Sequence, residues 1–327
     1  MSLRGAQVLV TGAGGFIGSH LAERLVVDGA KVRAMVHYNA LGSWGWLDES
    51  PHAGNMEVLA GDILDGESVR EAMSGCEVVF HLAALIAIPY SYRAPKSYVR
   101  TNVEGTLHVL HGARSLGTKR VIVTSTSEVY GTARTVPITE AHPLQAQSPY
   151  SATKIAADKI AESFHLSFGV PVVTLRPFNT FGPRQSARAV VPTIITQALA
   201  GDQVRLGNTA PTRDMNYVSN TVDGYMAAAT APGIDGETIQ LGTGREVSVG
   251  DLVPMIGQIL GKELRIARER ERERREGSEV ERLVADASRA GRLLGWKPQV
   301  TLEQGLERTV EFMRTHAARY RAGQYAV

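Results

Sequence analysis

The chain has 327 residues, with 35 Lys and Arg against 33 Asp and Glu, and this near balance excludes the electrostatic footprint of a protein that binds nucleic acid or an anionic membrane. The single cysteine, Cys76, excludes an intramolecular disulfide and a cysteine-rich metal site, and no apolar run approaches the roughly 20 residues of a membrane span. With no signal-peptide pattern ahead of the first strand, a cytoplasmic protein without membrane or nucleic-acid partners is expected, long enough for a nucleotide-binding domain and a smaller lobe.

Residues 7–11 read as a short apolar strand, and Gly12-Ala13-Gly14-Gly15-Phe16-Ile17-Gly18 follows directly, opening a helix with Leu21, Leu25 and Val26 on its apolar face. Glycines at 12, 15 and 18 permit a tight turn, close approach of backbone amides to a pyrophosphate, and close packing of helix on strand. The helix N-terminus favours the negative charge. This loop, with Phe16 and Ile17, is the candidate dinucleotide site.

Residues 31–36 form a second expected strand. An acid about 20 residues after the glycines would mark a free ribose 2′-hydroxyl, but the strand ends in His37-Tyr38-Asn39 and no acid appears until Asp48. Arg33 and His37 could accept a 2′-phosphate, although Arg33 could equally be a solvated strand residue. The balance tips towards NADP, and the choice between NAD and NADP stays open. A third strand, 56–60, leads into Gly61-Asp62-Ile63, where Asp62 could accept from an adenine amino group, while Asp65 suits the N-cap of the next helix better. The fourth, 78–81, runs into Leu82-Ala83-Ala84, small residues that let backbone approach a cofactor. His81 reads as structural. Asn102, within an amphipathic helical stretch over 97–114, is either a core bridge or a support for the site.

Val121-Ile122-Val123 reads as a buried strand that ends in Thr124-Ser125-Thr126-Ser127-Glu128-Val129-Tyr130-Gly131. In an open α/β sheet that edge is where ligands bind. Tyr150 and Lys154 open a helix four residues apart, hence on one face. A phenol, an ammonium, a carboxylate and hydroxyls are expected to converge there: Thr126, Ser127, Glu128, Tyr150 and Lys154.

Strands and helices alternate to about Arg176, which indicates an α/β fold with a Rossmann-type, doubly wound parallel sheet. Residues 1–176 are the expected NAD(P)-binding domain. Residues 177–327 are expected to form mainly a smaller C-terminal substrate-binding lobe, with crossings back to the first domain. Within it, 178–184 is turn-rich and 190–199 reads as a helix. The alternating charges of 265–279 read as a solvated face from which one arginine could reach a diphosphate. The helix expected over 302–320 receives no chemical role.

The loop at 12–18, Tyr150-x-x-x-Lys154 and Arg176-Pro177-Phe178-Asn179 resemble extended short-chain dehydrogenase/reductases of the NAD-dependent epimerase/dehydratase family, which act on nucleotide sugars. The resemblance spans nearly the whole chain. Within that family, segments 83–92, 125–132 and 185–193 are similar to GDP-N-acetylglucosamine 4,6-dehydratases of legionaminic acid biosynthesis. The resemblance implies a tightly bound, recycled NAD or NADP and a Tyr150–Lys154 pair in which the lysine's charge lowers the phenol pKa. It implies that Thr126 bonds the sugar's 4-oxygen and that Glu128 removes the proton from carbon 5, a step a 4-epimerase does not need. Where many deoxysugar dehydratases carry an acidic residue for the leaving hydroxyl, this chain has Ser127. Asn179, Arg184, Val191, Arg213 and Arg274 match substrate-binding positions, although Arg275 replaces the family's usual proline after Arg274. A homodimer through the helices near Asn102 and Tyr150 is implied as well. The rival readings are a 4-epimerase and an NAD(P)-binding sensor without turnover.

Overall fold

The computed structural model describes residues 2–320. Its first half runs β1 (Gln7–Thr11), α1 (Phe16–Val27), β2 (Lys31–His37), β3 (Met56–Gly61), α2 (Gly66–Met73), β4 (Val78–His81), α3 (Ile88–Arg93), α4 (Pro95–Tyr98), α5 (Gly105–Leu116), β5 (Arg120–Thr124), α6 (Pro149–Phe168) and β6 (Val172–Pro177). The second half continues with β7 (Asn179–Phe181), α7 (Val190–Ala200), β8 (Gln203–Leu206), β9 (Thr212–Tyr217), α8 (Val218–Thr230), β10 (Thr238–Leu241), β11 (Glu246–Ser248), α9 (Val249–Leu260), β12 (Arg265–Arg268), β13 (Arg282–Leu283), α10 (Ser288–Leu294) and α11 (Leu302–Thr315).

Seven strands form a parallel sheet in the order β10-β6-β5-β4-β1-β2-β3. β4 and β6 are buried along their whole length, as a sheet covered on both faces requires. Alternate side chains divide between the faces. Leu9, Val79, Val121 and Val123 pack with Val69, Val109 and Leu110 under α2, α5 and α6. Val10, Phe80 and Ile122 face the other way, towards Leu21 and Leu25 of α1 and Tyr225 of α8. Strand order reverses between β1 and β4, so a crevice opens beyond their C-terminal ends.

The remaining strands build a smaller layer in which β9 pairs with β11, β7 and β13, while β8 pairs with β12. Its apolar residues, among them Ile194, Leu252, Leu306 and Val310, join the same core that lies under α1 and α8. The chain therefore returns to the large sheet late: α8 packs on it, and β10 adds its last strand beside β6.

The stretch over 97–114 is not one regular helix. α4 passes into a π-helical turn at Val99–Glu104 before α5 begins. Asn102 sits in that turn, where its Oδ1 accepts from Leu85 N at 2.8 Å and its Nδ2 donates to Leu85 O at 3.0 Å and to Thr153 Oγ1 at 3.0 Å. The widened turn brings this amide to both partners, tying the chain after β4 to α6.

Candidate active site

The crevice at the β1/β4 switch continues beneath the smaller layer as a cleft of about 2030 Å³. Gly12 turns the chain out of β1 at φ +71°, where a Cβ would meet Ala83 N at 2.9 Å, so only glycine lets the two strand ends approach. The N-cap of α1 is Gly15, with no side-chain cap and no acid in the first turn. The first-turn amides are thus left for an anion, which fits a dinucleotide's pyrophosphate. Gly12, Gly15, Phe16, Ile17, Gly18, His37, Leu82, Ala83 and Ala84 all line the cleft.

Asp62, Ile63 and Arg33, candidates for the cofactor site, are engaged elsewhere. Asp62 accepts from Leu64 N at 2.9 Å, Ile63 is buried with its carbonyl bonded to His108, and neither lines the cleft. Asp65 is the helix N-cap. Arg33 donates to Glu57 and to the carbonyls of Ala72 and Ser74, each at 2.8 Å, which leaves His37 as the one of the two phosphate candidates at the cleft. Asp48 is occupied by Ser43 Oγ and Trp44 N.

The wall beside the glycine loop has no local sequence pattern to mark it. Trp46 N donates to Gly14 O at 3.0 Å, and the Arg319 guanidinium lies 4.5 Å from the centre of the Trp46 ring while pairing with Glu49. Trp44, Trp46, Arg319 and Tyr320 thereby line the cleft. The charged stretch after β12 is also part of its rim, through Glu271, Arg272, Glu273, Arg274 and Arg275.

At the chemical end, a 3-10 turn at Ser127–Tyr130 follows β5, and Thr126 caps it by accepting from Glu128 N at 3.2 Å. α6 begins with a Ser148–Ser151 capping box and Pro149, which places Tyr150 in the first turn and Lys154 one turn on. The structure brings Thr126, Ser127, Glu128, Tyr150 and Lys154 to the same cleft. Burial pushes the Tyr150 phenol well above its ordinary range; a hydrogen bond with Thr126 opposes this and the charge of Glu128 adds to it. Lys154 is tied to the end of β5. Its Nζ donates to Thr124 O at 2.6 Å, and burial pushes it down to about 8 against the pull of Asp158. His81 is held between Thr11 Oγ1 at 2.9 Å and Thr106 Oγ1 at 3.1 Å, and burial pushes it down to about 3, so it is a neutral structural bridge.

Across the cleft, Asn179 on β7 has a buried Oδ1 with no partner. Arg213 on β9 donates to Thr212 O at 2.9 Å and to Glu279 Oε1 at 3.4 Å, and Arg274 reaches the same carboxylate oxygen at 3.4 Å. Two guanidiniums sharing one carboxylate retain donors for a further anion. Arg184 also lines the cleft, but its guanidinium is anchored to α1 through Ser19 Oγ at 3.2 Å and Glu23 at 2.9 Å, from a left-handed backbone at φ +71°. Val191 is 1% exposed in the core and does not line the cleft. Among the described residues no group of three or more His, Cys, Asp or Glu could hold a metal, and no helix is long and apolar enough to cross a membrane.

A glycine loop heading α1 and a Tyr-Lys pair heading α6, meeting over the switch point of a parallel sheet, define the extended short-chain dehydrogenase/reductase class. Within it the chain belongs to the family described as GDP-mannose 4,6 dehydratase, whose model matches residues 9–309. It is 34% identical over 314 residues to a UDP-glucose 4-epimerase of Mycolicibacterium smegmatis, covering 94% of this chain and 98% of that protein. It is equally 34% identical over 322 residues to a dTDP-glucose 4,6-dehydratase of Streptomyces griseus, covering 94% of each. A solved dTDP-glucose 4,6-dehydratase of Streptomyces venezuelae with NAD bound superposes with a TM-score of 0.88 at 29% identity, over 96% of this chain and 99% of that one. Overall identity therefore places the chain among nucleotide-sugar dehydratases and epimerases without separating the two reactions.

Proposed function

We propose that the chain is a nucleotide-sugar 4,6-dehydratase that converts an NDP-hexose, GDP-N-acetylglucosamine, to its 4-keto-6-deoxy derivative. The observation that carries this reading is Glu128: a carboxylate lining the cleft, close enough to Tyr150 and Arg213 for its charge to act on both. The likeness of segments 83–92, 125–132 and 185–193 supports the choice of sugar nucleotide. NAD is favoured over NADP because Arg33 is committed to Glu57 and two carbonyls, and because the solved dehydratase neighbour carries NAD. A nicotinamide cofactor held by the Gly12–Gly18 loop and by Leu82, Ala83 and Ala84 would supply the acceptor for the carbon 4 hydride and its donor to carbon 6.

In this reading Arg213, Arg274 and Asn179 hold the diphosphate and sugar, while Thr126 and Tyr150 bond the 4-oxygen. Tyr150 takes the 4-hydroxyl proton as the ketone forms, and Lys154 beneath it favours the phenolate. The ketone acidifies carbon 5, and Glu128 removes that proton. The same proton leaves with the 6-hydroxyl as water, relayed past Ser127, which has no acid of its own to give; a proton returned to carbon 5 as hydride reaches carbon 6, balanced by the one Tyr150 took from the 4-hydroxyl, completes the product. That missing acid is the observation favouring a 4-epimerase as the second reading.

Mass spectrometry of the purified protein with GDP- and UDP-linked N-acetylglucosamine separates the two. The expected product has lost one water; a 4-epimer of unchanged mass overturns the proposal. Glu128→Gln is expected to slow water loss by roughly 100- to 10,000-fold, the usual scale for a general base, with bound cofactor retained. Dehydration at the unaltered rate would show that Glu128 has another role.

A further inference from the structure

Asp158 lies one turn beyond Lys154 on α6 and is 5% exposed. Its Oδ2 accepts from Ser125 Oγ at 2.8 Å and from Arg176 Nε and Nη2 at 3.1 and 3.0 Å. Arg176 in turn donates from Nη1 to the Tyr130 hydroxyl at 3.0 Å. Ser125 and Tyr130 bracket the turn that carries Thr126 and Glu128, whereas Asp158 shares its helix with Tyr150 and Lys154. One carboxylate thus holds both ends of the Glu128 turn to the helix of the Tyr-Lys pair.

We propose that Asp158 is a positioning residue that fixes the Glu128 carboxylate relative to Tyr150 and Lys154, acting through Ser125 on one side and Arg176 and Tyr130 on the other. The backbone ties leave this task open. Ser125 N donates to Leu175 O at 2.7 Å as the last backbone bond to the sheet, and beyond it the turn is bonded from the loop before α6, by Gln145, and from α6 by the side-chain bond between Tyr150 and Thr126, with no backbone bond from α6. A buried ion pair adds little net stability, whereas charge-assisted bonds from a rigid guanidinium are directional. Ser125, Tyr130 and Arg176 are all buried, so the tethers are shielded from competing water. Placing two proton acceptors against adjacent carbons of one sugar needs such a device, since an error near 1 Å can cost on the order of 100-fold in rate.

This inference rests on the dehydratase reading, and its test separates the two. Ser125→Ala and Tyr130→Phe each cut one tether and leave the Asp158–Arg176 pair intact; Asp158→Asn weakens both. In single turnovers with the nucleotide sugar that the unaltered protein converts, the reduced nicotinamide is followed by its absorbance and water loss by mass. All three variants are expected to oxidise carbon 4 at close to the unaltered rate and to lose water on the order of 100-fold more slowly. Reduced cofactor then accumulates. Equal slowing of both steps, as general damage to the fold produces, or no slowing of water loss in the two single-tether variants, overturns the positioning role. Unaltered protein that loses no water from either sugar overturns the dehydratase reading itself, and the inference with it.

Discussion

Lys154 shows how one buried side chain links the chemistry to stability. It is 4% exposed, and burial lowers it from 10.5 in the free side chain to about 8 in the fold. Between these values the unfolded chain keeps a proton that the folded chain has released, so stability rises with pH across the window, and the penalty is fully present below pH 8. Lys154→Met removes this ionisation. The stability of the unaltered protein relative to the variant, measured by denaturant midpoints, is expected to rise from about pH 8 to 10.5; parallel profiles would show that the lysine is not perturbed. The residue scale was also the most legible in the sequence. Tyr150 and Lys154 meet because helical spacing places them one turn apart, and Glu128 follows a strand end. Asp158 was available by the same arithmetic, four residues after Lys154, but its partners Ser125, Tyr130 and Arg176 lie on other elements and no local pattern names them.

At the scale of elements, the glycine loop binds its neighbours through contacts that exclude a side chain. A Cβ on Gly18 would run into the Gly12 carbonyl and come within 3.1 Å of Ala13 Cα, all backbone with no flexible end to give way. Gly18→Ala is therefore expected to push α1 off β1, costing about 1–3 kcal/mol of stability as an overpacked core does, and to release bound cofactor. Gly54→Ala is the control, because a Cβ there meets nothing within 4 Å. Thermal melts and the cofactor content of purified protein check both; a Gly18→Ala protein that melts and loads like the control would contradict the packing argument. The strand-loop-helix reading found this loop because its glycines follow an apolar strand directly. The wall beside that loop shows no such pattern, since Trp46 reaches Gly14 only through the folded loop after β2, and Arg319 reaches Trp46 from far along the chain.

For the molecule as a whole, the late return of the chain decides how the parts hold together. α8 and β10 complete the large sheet after the chain has already built β7, β8 and β9, an arrangement that local periodicity cannot reveal because β10 has only four residues and its partner β6 precedes it by several elements. Asp214 on β9 stands at this crossing, fully buried, and accepts from Thr243 N and Gly244 N at 2.8 Å, Thr243 Oγ1 at 2.7 Å and Ala285 N at 3.1 Å. It joins the segment leaving β10 to the one leaving β13. Asp214→Asn turns one accepting oxygen into a donor facing backbone donors, and unsatisfied buried groups of this kind cost about 1–3 kcal/mol each. Because the core under α1 and α8 is continuous with that of the smaller layer, the loss is expected to lower a single transition rather than to detach one layer. Tryptophan emission tests this. Trp44 and Trp46 lie beside the glycine loop, whereas Trp296 donates to Asn220 O on α8 at 2.8 Å, so the indoles report on separate places. In Asp214→Asn, emission and far-ultraviolet circular dichroism should lose their native signals at one common, lowered temperature. Two separated midpoints would mean that the layers melt independently and that the crossing does not bind them into one cooperative unit.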